Sequence, residues 1–119
     1  MANLNDTMAT LMQIDGAMCC ALVDSNSGMM LGSSGTGLDL EVAAAGNTEV
    51  VRAKIKTIKS LGLSDNIEDI LITLGKQYHI LRPVGSKPGL FMYLVLDKAK
   101  SNLAMARRGC QDAEQELTL

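Results

Sequence analysis

Apolar positions recur at helical spacing from Asn3 to Met12, where Leu4, Met8, Leu11 and Met12 share a face and Asp15-Gly16 follows as a stop. The pattern then changes. Ala17 to Val23 (AMCCALV) is a continuous apolar run, which suits a strand covered on both faces. Asp24 to Gly28 is turn chemistry and Met29-Met30-Leu31 resumes apolar, so a β-hairpin is predicted there. The stretch GSSGTG, Gly32 to Gly37, breaks the chain before a long helical pattern from Leu40 to Leu61.

That helix carries two apolar stripes rather than one. Leu40, Ala44, Val51, Ile55 and Ile58 form the first, interrupted by Asn47, and Ala43, Gly46, Val50 and Ala53 form the second. A helix lying on a sheet needs only one such face. The second stripe is built of small residues that permit close approach, and Gly46 costs about 1 kcal/mol relative to Ala inside a helix. It is read as the surface for a second helix, the same helix of another copy. Glu41, Glu49, Arg52, Lys56 and Lys59 fill the remaining, solvated face.

Beyond Gly62 the pattern turns to strands. Ile67 to Leu74 (IEDILITL), a two-residue turn at Gly75-Lys76, and Gln77 to Arg82 (QYHILR) read as a hairpin. Pro83 to Gly89 is a loop, and Leu90 to Leu96 (LFMYLVL) is a second doubly apolar strand. Ala99, Leu103, Ala106, Cys110, Ala113 and Leu117 then form one clean stripe of a last helix. The element order is α-β-β-α-β-β-β-α. The two fully apolar strands belong at the centre of a five-stranded, mostly antiparallel sheet with helices on both faces, which is an α+β fold. The Ile67 to Leu74 strand then falls at an edge, although Ile70 to Leu74 is too apolar for a bare one. Edge pairing through Ile70 and Ile72 and helix pairing through Ala43, Gly46, Val50 and Ala53 are expected to serve one self-complementary, two-fold interface.

Composition narrows the function classes. The 119 residues suit a single domain spanning 1–119, and 47% hydrophobic content can fill its core although aromatics are only 3%. A balance of 11 basic against 13 acidic residues, net charge −2, argues against a nucleic-acid partner. No apolar run is long enough to span a bilayer, and the start lacks a cationic and apolar leader pattern, so no membrane insertion and a cytoplasmic location are expected. An odd count of three Cys, two of them adjacent, is a poor disulfide framework.

Candidate chemistry is thin. GSSGTG lies between a strand and a helix, where phosphate loops live, but it lacks the Gly-Lys-Ser/Thr ending and reads as a loop with Thr36 and Asp39 as candidate helix caps. Cys19 and Cys20 point to opposite faces of a strand and Cys110 sits on a helical apolar stripe, so all three read as small core hydrophobes. A thiol enzyme built on Cys19 or Cys20 is the weaker reading. His79 has no evident nucleophile or acid beside it, and one His with such cysteines does not make a zinc site. Arg107-Arg108 resembles a finger reaching towards a nucleotide site, but late-helix cations are ordinary. No catalytic, cofactor-binding or metal residue is assigned, and no cofactor is expected.

Four stretches carry a family resemblance: IDGAMCCALVDSNSGMMLG (Ile14 to Gly32), LDLEVAAAGNTEVVRAK (Leu38 to Lys54), ILITLGKQYHILRPV (Ile70 to Val84) and LFMYLVLDKAKSNLAMARR (Leu90 to Arg108). In order and spacing they resemble the Roadblock / dynein light chain 7 family, and the middle helix resembles its bacterial branch. The resemblance implies a profilin-like or longin-like three-layer sandwich that dimerises through the middle helix and the strand after it. It also implies a non-enzymatic scaffold or regulator that binds a small Ras-like GTPase and modulates its nucleotide state. The alternative it leaves open is a dynein-light-chain-like adaptor that clamps a peptide or scaffold protein.

Overall fold

Each α-helix starts at a side chain that satisfies an otherwise orphaned backbone donor. Asn3 Oδ1 accepts from the Asp6 N–H at 2.9 Å, Asp39 Oδ1 from Val42 at 3.2 Å and Asn102 Oδ1 from Met105 at 3.0 Å. A computed structural model describes residues 2–119. The caps open α1 (Leu4–Met12), α2 (Leu40–Ser60) and α3 (Leu103–Glu116). Between them run β1 (Ala17–Asp24), β2 (Met29–Gly35), β3 (Ile70–Thr73), β4 (Gln77–Pro83) and β5 (Leu90–Asp97), with a single 3₁₀ turn at Lys98–Lys100.

The strands form one sheet in the order β2-β1-β5-β4-β3, and every neighbouring pair is antiparallel. As the patterning predicts, the doubly apolar strands β1 and β5 lie inside it. They pair directly, Cys20 opposite Leu94 and Leu22 opposite Met92. Alternation then divides their side chains between two cores. Cys20, Leu22, Ile80, Met92, Leu94 and Leu96 meet α1 and α3 on one face. Cys19, Ala21, Val23, Leu81, Phe91, Tyr93 and Val95 line the other, where α2 contributes Ala44 and Val51. The result is an α+β sandwich of three layers.

Two strand boundaries differ from the patterning. β2 does not stop at Leu31 but runs through the glycine-serine stretch, pairing Ser33 with Ala21, Ser34 with Cys20 and Gly35 with Cys19. Backbone pairing needs no apolar side chain, and Gly35 adopts φ +85° against the Met18 carbonyl, where a Cβ would collide with β1. β3 is shorter than Ile67 to Leu74, because Asp69 accepts from both Arg107 Nε and Nη2 at 2.9 Å and holds the preceding segment against α3. At the last helix, Ala99 belongs to the 3₁₀ turn and is exposed, so the apolar stripe of α3 begins at Leu103.

Two further ties hold α3. Glu114 accepts from Arg82 Nε on β4 and from the Gly85 N–H at 2.9 Å, pinning the β4–β5 loop. Gly109 lets α3 settle on Ile14, whose Cδ1 lies 2.8 Å from where a Cβ would stand. At the foot of the same layer Ala2 bridges Leu117 in parallel and accepts from the Thr118 N–H at 2.7 Å.

Candidate interaction surface

α2 is seated by only part of its circumference. Ala44, Thr48 and Val51 are its buried residues, and the Thr48 hydroxyl folds back to the Ala44 carbonyl at 2.7 Å instead of seeking water. They rest on the β1–β2 half of the sheet. The flank carrying the second stripe is largely uncovered within the chain. Ala43 is half-buried, Gly46 and Ala53 are exposed, and Val50 is 38% exposed. No neighbouring element lies within 4 Å of where a Cβ would stand on Gly46, so no contact within the chain accounts for a glycine in mid-helix. Val42, one turn before Gly46, is 68% exposed.

β3 is the free edge on that side, paired only with β4: Ile70 opposite Leu81 and Ile72 opposite His79. Ile70 and Ile72 are half-buried and border the same core as Ala43. The fold therefore brings the helix stripe and the strand pair to one face of the sheet. Between them lies a row of polar side chains. Asn47 of α2 stands near the Tyr93 hydroxyl and favours its ionised form. The Tyr93 hydroxyl and His79 Nδ1 are 2.9 Å apart, with the rings edge-on at 5.5 Å between centroids. His79 Nε2 and Gln77 Oε1 are also 2.9 Å apart. The Gln77 amide donates on to Met18 Sδ at 3.8 Å.

The hydrogen-bond directions follow from chemistry. The Gln77 oxygen only accepts, so His79 Nε2 carries its proton and Nδ1 accepts from the Tyr93 hydroxyl. Burial lowers the His79 pKa below its ordinary value, which favours this neutral imidazole. Burial likewise raises Tyr93, opposed by the Asn47 contact, which favours the ionised phenol, and reinforced by Cys19. Sequence reading treats His79 as a lone imidazole because Tyr93 sits on another strand. Its diagonal relation to Tyr93 emerges only from the β4–β5 register, Leu81 opposite Tyr93 and His79 opposite Val95.

The other candidates resolve structurally. Arg107 is committed to Asp69, and Arg108 pairs with Asp112 one turn on at 3.3 Å. All three cysteines are buried, Cys19 and Cys20 in opposite cores. Burial raises the Cys19 thiol, pushes Cys20 up to about 11 and pushes Cys110 up to about 12, so none is a ready nucleophile. Of the two candidate caps, Asp39 is the cap of α2 and Thr36 is not, and Gly32 to Gly35 of GSSGTG belong to β2 rather than to a loop. Among the described residues no group of three or more His, Cys, Asp or Glu is placed to hold a metal ion. No helix among them is long and apolar enough to cross a membrane.

No protein-family model matches the chain, and no curated protein matches it in sequence. Solved structures do. The chain is similar to Myxococcus xanthus MglB with a TM-score of 0.81 at 21% identity, over 95% of this chain and 92% of that one. It is similar to a Roadblock/LC7 domain from Streptomyces avermitilis with a TM-score of 0.82 at 13% identity, over 96% and 93% of the two chains. For the gliding protein MglB of Thermus thermophilus the TM-score is 0.81 at 16% identity, over 93% and 82%. A further similar structure is MglB in a tetrameric arrangement. At these identities the likeness establishes the fold: this chain has the Roadblock/LC7 architecture.

Proposed function

We propose that residues 1–119 form a single Roadblock-family domain that pairs two-fold with a second copy and, as that dimer, binds a small Ras-like GTPase in the cytoplasm. The observation that carries this reading is the coincidence on one face of an apolar helix flank and an apolar sheet edge, with Gly46 lacking any neighbour in its own chain. The likeness to MglB structures points to a regulator in this architecture. Ala43, Gly46, Val50 and Ala53 of α2, with Ile70 and Ile72 of β3, form the proposed contact.

The domain acts by shape rather than by chemistry. Its three cysteines are buried, and Arg107, the residue most like a finger, already holds Asp69. Any acceleration of hydrolysis therefore comes from ordering the GTPase's own catalytic groups and biasing its conformers. Light scattering at micromolar concentration is expected to give twice the chain mass. Co-purification with a co-encoded protein bearing a G-x-x-x-x-G-K-[ST] loop, followed by a hydrolysis assay, tests the regulatory half. Recovery of a motor or scaffold and no nucleotide-binding protein would replace the regulator by an adaptor.

A further inference from the structure

Between the two halves of the proposed contact lies the Tyr93–His79–Gln77 row, with Asn47 of α2 near the Tyr93 hydroxyl. Asn47 stands on α2 between Gly46 and Val50, at the seam of the small-residue flank. His79 stands directly opposite Ile72 on the edge strand. A second copy laid across both would cover His79 from the one side its own chain leaves partly open. The chain contains a single histidine.

We propose that self-association through this surface is proton-linked: the dimer requires neutral His79 and loosens as pH falls. The inference rests on the two-fold reading above and adds its regulation.

The argument is geometric. In the neutral ring Nε2–H donates to Gln77 and Nδ1 accepts from Tyr93 O–H, so each nitrogen has one partner of the right kind. Protonation turns Nδ1 into a donor. The Tyr93 hydroxyl must then reverse to accept, and its own proton has to find another acceptor on the α2 side of the sheet. The rearrangement strikes at the join between helix flank and sheet edge.

Nothing around the ring offsets the new charge. β3 presents Ile70 and Ile72, α2 presents Asn47 with Lys54 two turns further along, and β1 presents the buried Cys19. On β5 the groups are Tyr93, Val95 and then Asp97, whose Oδ1 is already accepting from the Ala99 N–H at 3.0 Å. On β4 the neighbour is the uncharged Gln77. Covering this site removes water from a ring with no counter-ion. The dimer therefore binds a proton more weakly than the monomer does, and its formation expels protons below the ordinary histidine range.

The sign follows from linkage. A group whose pKa is lower in the dimer contributes to association above the monomer's pKa and loses that contribution as pH falls. With one His79 per copy, the logarithm of the association constant rises with pH by up to about two units per pH unit between the dimer and monomer pKa values. It is flat above roughly pH 7, past the ordinary histidine value of about 6.5.

Sedimentation equilibrium of the full chain from about pH 7.5 down to about pH 5.5, with circular dichroism confirming the fold at each point, should show association weaken by about tenfold or more. His79→Gln should dimerise at the higher pH and show no such slope. The Hε1 signal of the single histidine in proton NMR gives a readout without mutation: its titration midpoint should fall as protein concentration rises. A wild-type dimer of constant affinity, an equal slope in His79→Gln, or a midpoint independent of concentration overturns the proton linkage while leaving the dimer standing. A monomer at every pH and concentration overturns both.

Discussion

Gly35, Gly109 and Gly46 answer the same question in different ways. At Gly35 a Cβ would meet the β1 backbone, and at Gly109 it would meet Ile14, so both are required by the chain itself. Gly35→Ala is expected to cost at least about 2 kcal/mol in urea unfolding, combining left-handed strain with collision. Gly46 has open space, and its substitution separates folding from assembly. Gly46→Leu should leave a cooperatively folded monomer, whereas Gly46→Ala should raise helix stability by about 0.5–1 kcal/mol in the unpaired chain. A Gly46→Leu chain that scatters light as a dimer would remove this flank from the interface. The cysteines allow a direct check on the thiol-enzyme reading. Since burial raises all three thiols, they stay protonated at neutral pH, and iodoacetamide should label them only after denaturation. Fast labelling of the folded chain would contradict this.

Among the elements, the sequence discloses most where a side-chain pattern and the backbone agree. β1 and β5 are apolar on both faces, and no position but the sheet interior satisfies such runs, so their placement was legible. The first α2 stripe was legible in part: Ala44 and Val51 are buried, whereas Ile55 is 39% exposed. β2 was only half legible, because Ser33, Ser34 and Gly35 pair by main chain alone and leave no apolar trace. The start of β3 was hidden by a contact from elsewhere, the Asp69–Arg107 fork. Arg107→Ala should free that segment, measurable as faster amide exchange from Ile67 to Ile70 with little change in β5. Equal protection in the two proteins would show that the fork does not set the boundary. At the edge itself, Ile72→Lys places a charge within the proposed contact and should abolish dimerisation.

For the whole molecule, the fold was legible in element order, and the surplus of apolar residues over what one copy covers marked the surface proposed for self-association. The polar row behind that surface was not legible. His79 and Tyr93 become neighbours only when β4 and β5 pair, and no local pattern encodes a diagonal across two strands. The partner lies further out of reach, because a binding face complements a molecule that the chain does not contain. Glu114 is the corresponding case for stability: one carboxylate joins α3, β4 and the β4–β5 loop. Glu114→Gln should cost about 1–3 kcal/mol, read as a lower urea midpoint at unchanged slope. A change in slope would instead signal a loosened native state.

The pairing of β1 with β5 also governs how the protein is made. At the ribosome the β1–β2 hairpin emerges before α2, β3 and β4, carrying Cys19 to Val23 apolar on both sides. Its inner neighbour β5, ending at Asp97, follows all of them. At about 5–20 residues per second, the hairpin waits roughly 3–12 s for the strand that pairs with it. During that interval the inner edge of β1 has no partner, so slowing translation between β2 and β5 should lower the soluble yield at unchanged native stability.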